Sequence, residues 1–157
     1  MRRYLVVANR TLGGPALLRA IDERLATGEP ASFRLVVPAT PTTVHEALLA
    51  GQAAEGGLEI APVVRAEAER EARERLATEL ARLRSYGADA DGRIGDADVV
   101  RAVREAIRSA PEPFDEIILS TLPAGPSRWL ALDLPARLRR AVDVAVVVVV
   151  AEESDGA

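Results

Sequence analysis

The sequence predicts an α/β fold: an open, doubly wound, five-stranded parallel sheet with helices on both faces. Short apolar runs alternate with helical segments along the 157 residues, which is the pattern of consecutive β-α-β units. The runs at 5–7, 117–119 and 144–150 are continuously apolar, as expected of strands that are buried on both faces. The length suits one domain better than two. We therefore predict a single domain at 1–151 and a short polar tail at 152–157.

The composition excludes several classes of function. Only 3% of the residues are aromatic, while 48% are hydrophobic, so the core must be built from aliphatic side chains. The net charge of −4 argues against a nucleic-acid partner, because such proteins carry a basic field along one face. All 20 basic residues are arginine, which rules out P-loop, Schiff-base and general-base lysines.

The absence of cysteine excludes disulfides, thiolate nucleophiles and cysteine metal sites, and favours a cytoplasmic location. The first apolar run covers only residues 4–8, which is too short for a signal-peptide core. The run at 141–151 is interrupted by Asp143 and is far shorter than the ~20 residues that span a bilayer. We expect no membrane partner.

The first two strands are predicted at 3–8 (RYLVVA) and 32–38 (SFRLVVP). Pro15 opens the helix between them, which runs towards the Gly-Glu-Pro stop at 28–30. Its apolar positions recur at helical spacing: Leu17, Leu18, Ile21 and Leu25.

A weakly patterned stretch, 39–62, follows the second strand and is rich in Thr, Pro, Ala and Gly. This composition permits either an ordered lid, with a short helix at about 44–50, or a mobile loop. A charged helix is then predicted at about 64–86, with Gly87 able to end it. Alternating Glu and Arg predict solvated ion pairs on its outer face. Its narrow apolar stripe consists of Ala72, Leu76, Leu80 and Leu83.

The segment that begins DADGRIGDAD at Asp89 predicts a strand, a turn at Gly95 and a helix capped by Asp96 or Asp98. A calcium loop is the competing interpretation, because such loops carry alternating oxygen ligands. Counted from Asp89, however, glycine falls at position 4 rather than 6, and valine stands where the final glutamate is needed. We expect no metal site. The buried face of the helix is predicted to contain Val99, Val100, Val103 and Ile107.

Two more strands are predicted at 114–121 (FDEIILST) and 144–150 (VAVVVVV). The segment between them contains the elements of an anion site, namely hydroxyls, a glycine turn, a helix start and a guanidinium. These residues are Ser120, Thr121, Gly125, Ser127 and Arg128. The structural alternative stays open, in which Ser127 caps a helix, Arg128 is solvated, and Asp133 caps a second helix before Pro135.

Ligands of doubly wound sheets bind outside the carboxyl ends of the strands, near the reversal in strand order. If the first strand is central, that place is framed by Asn9, Arg10, Gly95 and the segment from Ser120 onward. His45, the single histidine, has no G-x-S-x-G elbow to assist. Together with the missing Lys and Cys and the lack of paired carboxylates, this argues against an enzyme.

The order of elements, the GRIGDAD turn at 92–98, the FDEIILST strand and the LRRAVDVAVVVVV ending at 138–150 resemble the universal stress protein family. The resemblance implies the strand order 3-2-1-4-5, with the last strand at a sheet edge. It also implies a homodimer through that strand, at 144–150, and in one branch of the family a bound ATP without clear turnover.

The ATP-binding branch carries G-x2-G-x9-G-[ST] after the fourth strand. When the first glycine of the motif is aligned with Ser120, the second glycine, the third glycine and the final hydroxyl residue fall at Pro123, Asp133 and Leu134. None of these four residues matches the motif. The usual acidic residue after the first strand is replaced by Asn9 and Arg10. The site for ATP or AMP is therefore expected to be a rearranged one, in which Arg10 and Arg128 neutralise a phosphate.

Three functions follow from these observations. The first is a universal-stress-protein-like regulatory domain that binds a nucleotide or another anion without turnover. The second is a dimeric interaction protein with a vestigial pocket, since an uncovered apolar edge strand invites pairing. The third is a nucleotide-handling enzyme on the same kind of sheet.

Overall fold

A computed structural model of the chain describes residues 1–38, 60–96, 98–123 and 133–151. The strands in this part of the chain are β1 (Arg2–Val7), β2 (Ala31–Pro38), β3 (Asp89–Gly95), β4 (Glu116–Thr121) and β5 (Ala145–Val150). The helices in it are α1 (Pro15–Leu25), α2 (Ile60–Ser85), α3 (Val99–Ser109) and α4 (Leu134–Ala141).

The five strands form one sheet in the order β3-β2-β1-β4-β5, and every neighbouring pair is parallel. The predicted fold class and strand order are therefore confirmed. Strand ends differ from the prediction by one or two residues. At the start of β4, for example, the Asp115 carboxylate accepts a hydrogen bond from Arg3 N–H at 2.7 Å, and the strand begins one residue later.

Helices cover both faces of the sheet. On one face α1 and α2 pack over alternate residues of the strands, and on the other α3 and α4 pack over the remaining ones. The core is aliphatic as predicted, with one stacked pair of rings, Tyr4 and Phe33, whose centroids are 5.2 Å apart. The largest fully buried side chains besides Phe33 are Leu5, Leu17, Ile21, Leu35, Leu83, Ile117, Ile118, Leu119 and Leu138.

The long helix α2 begins at Ile60, earlier than predicted, because Pro62 falls in the first turn, where no backbone N–H is needed. It ends as predicted: Gly87 has φ +83°, and Ala88 N–H donates to Leu83 O at 3.1 Å. α2 is long but heavily charged, and none of the helices in the described ranges combines the length and the apolarity that crossing a bilayer requires.

The start of α4 corrects one prediction. The helix begins directly after Asp133, with Pro135 in its first turn, as expected. Asp133, however, has φ 54° and its side chain makes no capping hydrogen bond. A residue in this left-handed conformation does not hold its side chain over the helix N–H groups as an extended N-cap residue does.

Candidate functional site at the strand reversal

The centre of the sheet contains the place where the strand order reverses. β1 and β4 are neighbours, but α1 after β1 packs on one face and α4 after β4 packs on the other. The chain thus leaves the two strand ends in opposite directions and opens a crevice between them. The residues that follow β1 and those that end β4 frame this crevice.

Asn9 joins three elements at the end of β1. Its side chain is buried, and its Nδ2 donates to Pro38 O at 3.0 Å. Its Oδ1 accepts a hydrogen bond of 2.6 Å from the Arg75 guanidinium on α2. Because both ends of the amide are engaged within the protein, Asn9 positions the loop after β1, and Arg75 is a partner that the sequence did not predict.

Two hydroxyls connect the loop after β1 to the end of β4. Ser120 Oγ donates to Thr11 Oγ1 at 2.6 Å, and both residues are buried. Thr121, also buried, donates from Oγ1 to Leu122 O at 3.0 Å. Both predicted hydroxyls are therefore buried at the end of β4 and hydrogen-bonded within the protein. Thr11 was missed because its role depends on a residue 109 positions away in the chain.

The loop after β1 contains a basic residue, Arg10, and leads to the start of α1. Arg10 is exposed in the loop that leads from β1 to the helix. α1 begins at Pro15 after Gly14, with neither a side-chain capping bond nor an acidic residue in its first turn. No acidic residue of its own first turn therefore neutralises its positive dipole end, which favours an anion.

Gly95 lies at the end of β3, three strands from β4 in the sheet. A Cβ on Gly95 would stand 2.9 Å from both Ala102 Cβ and Val36 Cγ1, so the glycine allows α3 to approach the sheet. It is not brought together with Ser120. The remaining predicted site residues, Gly125, Ser127 and Arg128, lie outside the described residues, as does His45.

The aspartates of DADGRIGDAD have structural partners. Asp91 makes a two-pronged ion pair with Arg34 on β2, at 3.1 and 2.9 Å. Asp98 is the N-cap of α3 and accepts from Arg101 N–H at 3.1 Å, while Asp96 accepts from Asp98 N–H at 2.8 Å. The interpretation as a strand followed by a capped helix is confirmed, while Gly95, predicted at the turn, is the last residue of β3. The ranges described above contain no group of three or more His, Cys, Asp or Glu residues placed to hold a metal.

No protein-family model and no curated protein matches the chain. Among solved structures it is similar to a protein of the universal stress protein family from Burkholderia pseudomallei, with a TM-score of 0.55, 16% identity and 94% of each chain covered. The chain has the universal stress protein fold. A second similar structure is a universal stress protein in complex with cAMP, with a TM-score of 0.46, 20% identity, and 94% and 95% of the two chains covered.

On this universal stress protein fold, a second polar cleft lies between the loop after β1 and the outer side of α2. It measures about 510 Å³ and is lined in part by Gly13, Glu79 and Arg82. Glu79 is only 2% exposed, and its Oε1 has no hydrogen-bond partner. Burial raises the pKa of this carboxyl, and the nearby charge of Arg82 lowers it by less.

The sequence analysis predicted solvated ion pairs on the outer face of α2 and did not single out Glu79, which is buried. The ion pairs are confirmed earlier in the helix, where Glu67, Glu69 and Glu71 pair with arginines three or four residues later. The signal for Glu79 was present in the sequence. It stands three residues after Leu76 and four before Leu83, in phase with the buried stripe.

Proposed function

We propose that this protein is a non-catalytic regulatory domain that binds an adenine nucleotide or another phosphate-bearing anion between the ends of β1 and β4. The observation that carries the proposal is the crevice at the strand reversal, where Arg10 and the uncapped start of α1 lie beside the buried Thr11 and Ser120. This is the place where doubly wound sheets bind ligands.

The chemistry of these groups suits a phosphate. The first N–H groups of α1 have no acid in the first turn of the helix to compete for them, and Arg10 places a guanidinium in the loop before that helix. The hydroxyl bridge between Thr11 and Ser120 holds the two sides of the crevice at a fixed separation. Arg128, Ser127 and Gly125 are proposed to complete the anion site from the segment after β4.

The absence of turnover is part of the proposal. The described crevice residues are amide, hydroxyl and guanidinium groups, and none of them is a carboxylate or an imidazole that could serve as a general acid or base. The full sequence also lacks lysine and cysteine. A cytoplasmic location, favoured by the missing cysteine, belongs to the same proposal.

The first experiment is to purify the protein without added ligand, denature it and identify the released small molecules by mass spectrometry. Calorimetric titration with ATP, ADP and AMP then compares the wild type with Arg10→Ala and Arg128→Ala. We expect each substitution to weaken binding at least tenfold, as the loss of a charge-assisted contact implies. Arg73→Ala, at an exposed position of α2, is the matched control. Unchanged affinities in both site variants would refute the anion site.

A second candidate function is self-association through β5. This strand has a partner, β4, on one side only, contains no charge over AVVVVV, and leaves Val150 45% exposed. An uncharged apolar edge strand readily pairs with another chain. In this alternative the crevice is vestigial and a homodimer is the functional unit.

The edge can be tested at a single backbone position. Ala151 N–H donates to Thr121 O and so points towards β4. Backbone N–H groups alternate in direction along a strand, so the N–H of Val148, three residues earlier, points away from β4. Val148→Pro removes an outward donor and keeps the pairing with β4. Size-exclusion chromatography with light scattering should show a dimer for the wild type and a monomer for the variant. A monodisperse wild-type monomer would contradict this candidate.

A further inference from the structure

A third cleft lies between α3 and α4, on the face of the sheet opposite α1 and α2. It measures about 290 Å³, and four of the six described residues that line it are arginines. We call it the arginine cleft. Its lining residues are Asp98, Val100, Arg101, Arg104, Arg108 and Arg137.

Three of these arginines form a stripe along α3. Arg101, Arg104 and Arg108 are spaced i, i+3 and i+7, so they lie within about 60° of one another around the helix and span roughly 10 Å along it. Arg137 approaches from α4, the neighbouring helix. The four guanidinium groups therefore converge on one concave surface.

Two carboxylates, those of Asp96 and Asp98, lie at the Arg101 end of the arginine cleft. Asp98 caps α3 through the backbone N–H of Arg101, and Asp96 comes within 3.9 Å of the Arg101 guanidinium. Within the described ranges no ion pair is formed by Arg104, Arg108 or Arg137. On α2, by contrast, Arg70, Arg73 and Arg75 each have a glutamate three or four residues earlier.

Helix stability does not account for this arrangement. Asp98 caps α3, and Arg108 in its last turn suits the helix dipole, but Arg101 and Arg137 lie near the positive ends of their helices. Cations at that end and like charges at i, i+3 and i+4 spacing are both unfavourable. The cluster is also not a by-product of overall charge, because the chain is net −4. A bound anion would offset all of these repulsions at once.

We propose that the arginine cleft binds a small polyphosphate, meaning an anion with at least two linked phosphate groups. Guanidinium groups bind phosphate oxygens in pairs, and a stripe about 10 Å long exceeds what a single phosphate can contact. The cleft is near the lower size limit of small-molecule pockets, which fits a compact, highly charged ligand. The anion is either free pyrophosphate or the diphosphate group of a nucleotide. The cleft shares no residue with the crevice at the strand reversal.

The test uses pyrophosphate as the probe, titrated calorimetrically into the full chain at constant ionic strength in chloride. We expect saturable binding to the wild type and a loss of at least tenfold in the double variant Arg104→Gln/Arg108→Gln. The matched control is Arg70→Gln/Arg73→Gln, which removes the same charge from exposed positions of α2 and should bind as the wild type does. Circular dichroism of both variants confirms that the helices form.

Three further comparisons decide the interpretation. Equal losses in the two double variants, or no saturable binding to the wild type, would overturn the proposal. A parallel titration with ADP distinguishes the sources: tighter binding than pyrophosphate that is lost in Arg104→Gln/Arg108→Gln identifies a nucleotide. In the Arg10→Ala background, Arg104→Gln/Arg108→Gln should still weaken pyrophosphate binding at least tenfold, so that failure of the crevice proposal is distinguishable from failure of this one.

Discussion

At the scale of the residue, Glu79 shows what burial does to a charge. The loop at Gly13 covers its carboxylate, since a Cβ added to Gly13 would lie 3.5 Å from Glu79 Oε2. One oxygen has no partner, and burial raises the pKa above the ordinary value of 4.5. The fold therefore favours the protonated acid. This preference makes its full contribution to the free energy of unfolding below pH 4.5. The contribution is lost as the pH rises through the pKa of the folded state.

Glu79→Gln should stabilise the protein at neutral pH, because it replaces a poorly solvated charge with a neutral group of the same shape. We expect the free energy of unfolding to rise by about 1 kcal/mol at pH 7 and to match the wild type near pH 4. Urea denaturation at both pH values measures this. Glu74→Gln, at an exposed position of the same helix, should change neither value. A variant less stable than the wild type at pH 7 would show that the carboxylate is stabilised by an ion pair instead.

At the scale of the element, α3 shows how local signals specify a helix. Asp98 caps it, and the residues in phase with Val99 and Val103 face the sheet. The alanines Ala102 and Ala106 are as deeply buried as those valines, although the sequence analysis predicted only the larger side chains on this face. Small residues were missed because hydrophobic periodicity is judged from large ones, while close packing against Gly95 needs small ones.

Asp98→Ala should destabilise the protein by about 1 kcal/mol, because the N–H of Arg101 loses its side-chain acceptor. Asp98→Asn keeps an acceptor at the cap and should cost much less. Comparing the thermal and urea denaturation of the two variants separates the contribution of the hydrogen bond from that of the charge. Equal losses in both variants would assign the effect to charge alone.

At the scale of the whole molecule, the distance between the helix layer and the sheet depends on a glycine within a strand. A Cβ on Gly92 of β3 would stand 2.8 Å from Leu76 Cδ1 and 2.9 Å from Leu35 O. The first contact is with the end of a side chain, but the second is with the backbone of β2, which cannot move without disturbing the ladder. α2 and the sheet can therefore approach closely only if residue 92 has no side chain.

Gly92→Ala should cost roughly 1–3 kcal/mol, the range for overpacking a filled core. Gly92→Val should cost more, because its larger side chain extends further into the space held by Leu76. The midpoints and slopes of urea denaturation give the order. A Gly92→Ala variant as stable as the wild type would mean that the layers can separate without loss of packing.

The sequence by itself determined the class of fold, because alternation of apolar runs with helical segments is a local property. It also determined where α2 ends and where α3 begins, because Gly87 and Asp98 act on their own neighbours in the chain. Only the tertiary structure decided that Ser120 meets Thr11, that Asn9 meets Arg75, and that Arg137 joins the stripe on α3. These contacts join residues from separate elements. A single sequence records helix and strand periods but not which side chains meet once the layers have packed.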